Sequence, residues 1–460
     1  MIKKIHLIAA CGTGMGTLAC SLKEMGYTVS GSDQNVYPPM SDFLKEKGID
    51  LFQGYDPAHL NHSPDLVIIG NAVTRLNTEA QAVLNSGIPY MSMPQAVNEF
   101  IAKDKKIILV TGTHGKTTTS SIMAHILYTA GMDPSFLIGG ILKDFNSSFR
   151  IGQGEYMVIE GDEYDTAFFD KGPKFMHYDP EIIIMTGIEF DHADIFTDIE
   201  HVKQAFSTLV QKNETRSHFF AFEDSFHLKE VLSNFFISLE SYGENAQWTF
   251  SDHHQKGSRT YFDVHGPGKS MSIETGLVGR HNLFNAMACI AAAQKIGITN
   301  KIIKAALNTF SGVKRRQEIR GVKNGITVMD DFAHHPTAVR ETITALKPFY
   351  NAGRTVAVFE PRTNTSMRRF FQESYPDAFM EADIVCICEP SVKKNIPDQE
   401  RLSIRKLITD IEKKGVRALY FENTDRLLTF LISELKDKDL ALIMSNGGFD
   451  NIHEKLLERI

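Results

Sequence analysis

Short apolar runs alternate with longer, helix-like stretches along the first hundred residues of the chain. The apolar runs occupy residues 5–9, 27–30 and 66–69, and a stretch with helical spacing follows the first of them. A strand, a helix and a second strand in this order are typical of a parallel sheet with helical crossovers. The pattern therefore predicts an α/β domain over residues 1–103.

The same alternation begins twice more along the chain, after a charged segment at 103–106 and again near residue 311. Further apolar runs follow, at 107–110, 156–160, 182–186, 326–329, 355–359, 382–387, 418–421 and 440–444. The stretch 248–275 is rich in Gly, Ser and His and predicts hairpins, and the spacing over 282–296 predicts a helix. Because domains usually contain roughly 100–200 residues, we predict three, over 1–103, 104–312 and 313–460.

The composition excludes several classes of protein but does not indicate a reaction. The chain has 460 residues and a net charge of −7, which disfavours nucleic acid as the main partner, since phosphate backbones attract basic surfaces. No apolar run reaches the ~18 residues that a membrane span requires. The five cysteines include no CxxC pair, so neither a disulfide framework nor a zinc site is indicated. We expect a cytoplasmic protein that does not bind membranes.

The segment after the run at 107–110 carries the strongest chemical signal. It is Thr111-Gly112-Thr113-His114-Gly115-Lys116-Thr117-Thr118-Thr119. In a phosphate-binding loop, backbone N–H groups cradle phosphate oxygens, the lysine meets the β- and γ-phosphates, and the next hydroxyl contacts Mg²⁺. The full pattern has glycine where this chain has Val110, so the match is to a shorter form. We predict ATP and Mg²⁺ as cofactors; a strand, turn and helix with chance glycines is the alternative.

Two residues near predicted strand ends are candidate metal ligands. Glu160 closes the run at 156–160, and His192 lies just past the run at 182–186. In open α/β sheets, ligands bind outside the carboxyl ends of the strands, where the phosphate loop also lies. Thr117, Glu160 and His192 therefore form a predicted magnesium site. Alone, the acidic segment would be interpreted as a solvated loop and the histidine as structural.

Together these segments resemble the signature of the Mur ligases, a family that adds amino acids or peptides to UDP-linked muramic acid. The resemblance runs in order along the whole chain through 112–117, Glu160, His192, 279–285, Arg316 and Asp331. Segments at 11–16, 31–40, 70–72, 163–171 and 190–196 are most similar to the branch that adds a recycled tripeptide. The motif at 330–336 is shared with the branch that adds L-alanine.

The resemblance implies a fold and a set of site residues. The implied fold is α/β in three domains, with Rossmann-like N-terminal and C-terminal domains and a P-loop ATPase-like central domain with a mostly parallel sheet. The implied catalytic residues are Lys116, Glu160, His192 and Arg316. The implied ATP-binding residues are Gly112, Thr113, His114, Gly115, Lys116, Thr117, Thr118, Asn282, Asn285, Arg316 and Asp331. The implied UDP-sugar site in the first domain consists of Gly12, Thr13, Gly14, Met15, Gly16, Asp33 and Asn71.

The third domain is expected to choose the amine substrate. Arg362 and Arg368 follow the run at 355–359, and a guanidinium can bind a peptide carboxylate through two parallel hydrogen bonds. Arg362 is preferred because it lies nearer the strand end; a solvated basic helix start is the alternative. His335 is a second candidate peptide contact or base, and it can equally cap the helix that begins at Pro336.

The implied reaction joins L-alanyl-γ-D-glutamyl-meso-diaminopimelate to UDP-N-acetylmuramate through an acyl phosphate, in peptidoglycan recycling. The nearest alternative is the ligase that adds L-alanine to the same sugar nucleotide. A different class, a nicotinamide-dependent oxidoreductase, is suggested by Gly12, Gly14 and Asp33, but Thr17 stands where the third glycine of that fingerprint belongs. A nucleotide-binding regulator without catalytic activity is a further alternative.

Overall fold

A computed structural model describes residues 2–36, 40–390 and 396–460 of the chain, and these residues form successive α/β units. The first unit is a parallel sheet with strand order β3-β2-β1-β4-β5. Its elements are β1 Lys4–Ile8, α1 Thr13–Glu24, β2 Thr28–Asp33, α2 Met40–Glu46, β3 Asp50–Gln53, β4 Leu66–Ile69, α3 Thr78–Ser86, β5 Tyr90–Ser92 and α4 Met93–Val97. All four residues of β4 are buried, as a parallel strand covered on both faces requires.

The central unit has a larger sheet with strand order β14-β13-β12-β6-β9-β7-β8, in which only β8 runs antiparallel to its neighbour among the described strands. Its elements are β6 Lys106–Thr111, α5 Lys116–Thr129, β7 Ser135–Leu142, β8 Ser147–Arg150, β9 Tyr156–Gly161, β10 Asp165–Ala167, β11 Asp170–Pro173, β12 Ile182–Met185, α6 Ile199–Asn213, β13 His218–Phe222, α7 Phe226–Leu232 and β14 Ser238–Tyr242. The strands β10 and β11 form a separate hairpin.

An antiparallel sheet and two helices complete the central unit. They are β15 Thr249–Lys256, β16 Arg259–Gly266, β17 Lys269–Thr275, α8 Arg280–Lys295 and α9 Asn300–Thr309. The hairpins predicted over 248–275 and the helix predicted over 282–296 are confirmed, each within a few residues. Helix α8 is buried along most of its length, so it forms part of the central core.

The third unit has strand order β18-β19-β23-β20-β21-β22, parallel except for β18. Its elements are β18 Glu318–Lys323, β19 Ile326–Asp331, α10 Pro336–Leu346, β20 Thr355–Phe359, α11 Tyr375–Ala378, β21 Ile384–Cys388, α12 Ile404–Lys413, β22 Arg417–Phe421, α13 Thr424–Glu434, β23 Leu440–Met444 and α14 Ile452–Arg459. The predicted α/β class with mostly parallel sheets is therefore confirmed.

The contacts of Val313 and Lys314 bear on the second domain boundary, which the sequence pattern places between residues 312 and 313. Val313 forms a β-bridge with Leu142 and is buried in the core of the central unit. Lys314 N donates to Ile141 O at 2.9 Å. We therefore propose that the third domain begins just past Lys314 and keep the first boundary near residue 103. None of the helices in the described part of the chain is long and apolar enough to cross a membrane.

Candidate active site

The phosphate-loop segment connects β6 to α5, and its backbone needs glycine at two positions. Gly112 has a φ of +132° and Gly115 a φ of +78°, a region that residues with a Cβ rarely adopt. A Cβ at Gly112 would also lie against Thr186 Oγ1 and 2.8 Å from Gly187 O. Gly115 is the N-cap of α5, so the free backbone N–H groups of the first helical turn open onto the loop.

The Lys116 ammonium lies back against this loop. Its Nζ donates to Gly112 O at 2.6 Å and to the two carboxylate oxygens of Glu163 at 3.0 and 2.8 Å. Burial disfavours the charged ammonium, but the carboxylates of Glu163 and Asp162 more than offset this and raise the pKa of Lys116. Lys116 therefore supplies a fixed positive charge at the loop.

The Thr117 hydroxyl group is hydrogen-bonded to both Glu160 and Arg316. Thr117 Oγ1 donates to Glu160 Oε1 at 2.9 Å, and Arg316 Nη2 donates to the same hydroxyl at 3.2 Å. The other carboxylate oxygen of Glu160 accepts from Gly139 N at 2.6 Å. Glu160 lies in β9, which pairs with β6, so the carboxyl ends of these two strands bring the residues together. A hydroxyl and a carboxylate are oxygen donors of the kind that Mg²⁺ prefers.

His192 faces the same acidic segment from the loop that follows β12. Its Nε2 lies 3.0 Å from Glu163 Oε1. Burial lowers the pKa of His192, but the hydrogen bond and the charge of Glu163 outweigh this and raise it. Glu163, of which only 2 % is exposed, thus joins Lys116 to His192. Sequence reasoning did not single out Glu163, because its partners lie 47 and 29 residues away along the chain.

A second polar cluster lies where the central and third units meet; we call His114, Glu189, His335 and Thr337 the seam cluster. Glu189 Oε2 lies 3.4 Å from His114 Nε2 and 3.5 Å from His335 Nδ1, and it accepts from Thr337 Oγ1 at 2.7 Å. Burial opposes ionisation of Glu189, yet the hydrogen bond and charge of His114 lower its pKa to about 2. Glu189 was not predicted as a site residue.

His335 is held on both sides of its ring. Its Nδ1 accepts from Thr337 N at 3.2 Å and so caps α10, and its Nε2 donates to Phe190 O at 3.2 Å. Burial lowers its pKa to about 3, which keeps the imidazole neutral. Of the roles considered from the sequence, the capping role is the one the geometry displays. Both ring nitrogens have partners within the protein, and the contact of His335 with the peptide stays a prediction.

Further polar contacts cross the boundary between the central and third units. Ala193 N donates to Thr365 Oγ1 at 3.0 Å, directly beside His192. Asp191 Oδ2 lies 3.6 Å from His334 Nε2. The arrangement is closed, since residues of the third unit reach the loop of the central unit, as the sequence assignment of Arg316 requires.

A cavity of about 1030 Å³ extends from the phosphate loop between the central and third units. Pockets for small ligands typically have volumes of about 300–1,000 Å³. The predicted ATP residues that line it are His114, Gly115, Thr117, Thr118, Asn282, Asn285, Arg316 and Asp331. Asp331 accepts from Gln317 N at 2.7 Å and from Ala333 N at 2.8 Å, which fixes its carboxylate at the end of β19. The structure thus brings these predicted residues to one cavity.

The predicted UDP-sugar residues lie in the first unit, at the carboxyl ends of neighbouring strands. The glycine segment 12–16 follows β1, Asp33 ends β2, and Asn71 follows β4. Asp33 accepts from Cys11 N at 2.9 Å and Asn35 N at 3.0 Å, so it fixes the loop entrance. The side chain of Thr13 and the segment 37–39, part of the family resemblance, lie outside the described residues.

The two arginines considered for peptide binding have different surroundings. Arg362 follows β20, is only partly buried, and has Nη1 3.5 Å from Glu360 Oε2. Its side chain also lies against Gly447, just past the end of β23. Arg368 pairs instead with Glu400. Of the two, Arg362 is therefore the one with contacts at the carboxyl edge of the third sheet.

Three protein-family models match the chain, one over each of its three units. Residues 4–105 match the family model described as Mur ligase family, catalytic domain. Residues 110–293 match the Mur ligase middle domain, and residues 315–447 match the Mur ligase, glutamate ligase domain.

Individual relatives match over nearly the full length. The chain is 39% identical to UDP-N-acetylmuramate–L-alanyl-gamma-D-glutamyl-meso-2,6-diaminoheptandioate ligase of Haemophilus influenzae, over 100% of this chain and 99% of the relative. It is 30% identical to UDP-N-acetylmuramate–L-alanine ligase of Syntrophomonas wolfei, over 99% and 97%. The crystal structure of a murein peptide ligase from Psychrobacter arcticus aligns with a TM-score of 0.71 at 34% identity, covering 99% of this chain and 98% of that one.

Proposed function

The chain belongs to the Mur ligase family of ATP-dependent, amide-forming ligases, and from this premise we propose that it joins L-alanyl-γ-D-glutamyl-meso-diaminopimelate to UDP-N-acetylmuramate. The observation that carries the proposal is the full-length similarity of 39% to a ligase named for that tripeptide, against 30% for an L-alanine ligase. Because both ATP and a UDP-sugar are substrates, we place the reaction in the cytoplasm, in peptidoglycan recycling.

We assign the ATP phosphates to the loop 112–117 and the nucleoside to the cavity beside it. The free N–H groups at the start of α5 and the Lys116 ammonium supply positive charge, which stabilises phosphate at a helix N-terminus. Asn282, Asn285 and Asp331 line the same cavity and are proposed to contact the nucleotide. For Lys116 to meet phosphate, its hydrogen bonds to Glu163 must be exchanged, so Glu163 is a proposed positioning residue for the lysine.

Thr117 and Glu160 are the residues proposed to hold Mg²⁺, with His192 at a second position. Their fit rests on the hydroxyl and carboxylate oxygens that already lie 2.9 Å apart at the end of two paired strands. A bound Mg²⁺ would neutralise charge on the phosphates. Arg316, which donates to the same hydroxyl at 3.2 Å, adds a positive charge from the third unit.

In the proposed reaction, one oxygen of the muramoyl carboxylate attacks the γ-phosphorus of ATP, and ADP leaves. The neutral amine of the tripeptide then attacks the carbonyl carbon of the acyl phosphate. The C–N bond forms, the C–O bond to phosphate breaks, and the amine loses a proton. Two anions must approach each other in the first step, so the positive charges of Lys116 and Arg316 contribute by electrostatic stabilisation and positioning.

The two other substrates are assigned to the outer units. The segment 12–16, Asp33 and Asn71 are proposed to bind UDP-N-acetylmuramate, since they share one edge of the first sheet. Arg362 is proposed to bind a carboxylate of the tripeptide at the edge of the third sheet. A nicotinamide-dependent oxidoreductase would need only the carboxyl edge of the first sheet. The cluster around Lys116 would then have no role.

Phosphate release tests the proposal directly. The purified chain is given ATP, Mg²⁺ and UDP-N-acetylmuramate with either the tripeptide or L-alanine, and inorganic phosphate is measured. We expect turnover with the tripeptide and little with L-alanine. Turnover with L-alanine but not the tripeptide would assign the chain to the alanine-adding branch, and no turnover with either amine would contradict the ligase assignment.

A further inference from the structure

The seam cluster has the donors and the spacing of a transition-metal site that is separate from the proposed magnesium residues. Its two imidazoles and one carboxylate have ligand atoms that all lie within 4.8 Å of one another. The carboxylate oxygen of Glu189 lies 3.4 Å from one imidazole nitrogen and 3.5 Å from the other. Ligand atoms around tetrahedral Zn²⁺, at bond lengths of about 2.0–2.1 Å, lie about 3.3 Å apart. The two oxygen–nitrogen distances in the cluster are thus close to the distance between two ligand atoms of a tetrahedral zinc site.

The orientation of His335 also matches that of a metal-binding histidine. Its Nε2–H donates to the backbone carbonyl of Phe190, which leaves a lone pair on Nδ1, the atom that faces Glu189. Histidines that bind metals commonly donate their other ring N–H to a carbonyl or carboxylate, which fixes the tautomer. The competing contact on Nδ1 is a long cap hydrogen bond of 3.2 Å from Thr337 N.

Thr337 would act as an outer partner of the ligand set. Its hydroxyl donates to Glu189 Oε2 at 2.7 Å and so orients the carboxylate. A carboxylate has about four lone-pair sites, so this bond leaves others for an ion. Two imidazoles with one carboxylate suit Zn²⁺ and similar first-row divalent ions, whereas Mg²⁺ prefers oxygen ligands throughout.

From this geometry we propose that His114, Glu189 and His335 bind one divalent transition-metal ion, with Zn²⁺ as the representative, across the boundary between the central and third units. His114 belongs to the phosphate loop and His335 to the start of α10. The ion therefore binds only when the two units are closed against each other, and it stabilises that closed arrangement. A fourth position remains for water or a ligand oxygen from the adjoining cavity, which His114, Glu189 and Thr337 help to line.

Zinc titration of the full chain, without ATP or Mg²⁺, tests the site. Zn²⁺ affinity is measured by competition with a chromogenic chelator, and Co²⁺ is used as a spectroscopic probe of tetrahedral coordination. We expect one Zn²⁺ per chain and a rise in Tm on binding. Glu189→Gln should weaken binding by about 100-fold or more, and Thr337→Val, which removes only the outer partner, by about 10–100-fold.

Two controls locate the ion. His192→Ala, at the proposed magnesium position, and His227→Ala, on the surface helix α7, should both bind Zn²⁺ as the unaltered chain does. If Glu189→Gln fails to fold by circular dichroism, Thr337→Val decides the result, because it keeps all three ligands. The proposal is overturned if the chain binds no stoichiometric Zn²⁺, if neither seam variant weakens binding, or if His192→Ala abolishes it.

Discussion

Two glycine segments occupy the same place in successive units of this molecule, yet they have different surroundings. Residues 12–16 follow the first strand of the first sheet, and residues 112–116 follow the first strand of the central sheet. In the first segment Gly12 has an ordinary φ of −68°. A Cβ added to Gly12 would lie 4.0 Å from the nearest other atom, the carbonyl oxygen of Ala9. In the second, Gly112 has a φ of +132° and is tightly enclosed.

Charge separates the two segments as clearly as backbone geometry does. The central loop carries Lys116, bound to Glu163, and Thr117, bound to Glu160 and Arg316. The first segment contains no charged residue, and the acidic group beside it, Asp33, holds backbone N–H groups. A strand, a glycine segment and a helix therefore do not by themselves define a phosphate-activating site. In the proposed function, that role depends on the charged residues that other strands and units bring to the loop.

The largest effect is expected from Lys116→Ala, which removes the charge that distinguishes the two segments. Phosphate release should fall by about 10²–10³-fold or more, since a preorganised electrostatic contact is lost. The variant also leaves Glu163 without its main partner, so the free energy of unfolding, measured with urea, should decrease. The double variant Lys116→Ala, Glu163→Gln should regain stability without regaining activity. Activity retained in Lys116→Ala would remove the loop from the mechanism.

Paired glycine substitutions test the backbone difference. Gly112→Ala forces a side chain into a left-handed conformation and against Gly187, so we expect roughly 1–3 kcal/mol of destabilisation and loss of ATP binding by calorimetry. Gly12→Ala, its matched control, should change stability by no more than about 0.5 kcal/mol. Equal effects of the two substitutions would show that the two segments are not different in kind.

The pH dependence of stability should reveal the buried imidazole beside the central loop. Burial lowers the pKa of His335 to about 3, against 6.5 when exposed, so between these values only the unfolded chain binds the proton. Stability should therefore fall as the pH falls below 6.5, with a contribution approaching about 1.4 kcal/mol per pH unit. In His335→Gln, urea unfolding between pH 6.5 and 4.5 should show a slope smaller by that amount. Identical slopes would contradict the assignment.

The smallest effect is expected at the first segment. Asp33→Asn keeps one acceptor oxygen but loses the charge that holds Cys11 N and Asn35 N. A cost of about 1 kcal/mol in the affinity for UDP-N-acetylmuramate is expected, with the KM for ATP unchanged. A rise in the KM for ATP instead would place the nucleotide at both segments.

Much of the fold follows from local pattern, because buried parallel strands are continuous apolar runs. The strands Leu66–Ile69, Thr355–Phe359 and Leu440–Met444 have the predicted bounds. Contacts that depend on tertiary packing could not be predicted in the same way. Glu163 lies within an acidic segment that resembles a solvated loop, and only the fold shows it buried between Lys116 and His192.

Contacts between the central and third units were equally hard to predict from the sequence. Arg316 and Asp331 were assigned to ATP by family resemblance, and the structure places both at the cavity. Glu189 and Thr365 carried no signal of their own, because each acts through a partner more than a hundred residues away. The order of strands brings such residues together, and a single sequence does not display that order.

Isotope transfer can show whether the Lys116 loop activates a carboxylate as an acyl phosphate. UDP-N-acetylmuramate labelled with ¹⁸O in its carboxylate is turned over with ATP, Mg²⁺ and the tripeptide, and the released phosphate is analysed by mass spectrometry. We expect each released phosphate to carry one oxygen from the carboxylate. Phosphate without the label, released in step with amide formation, would rule out the acyl phosphate.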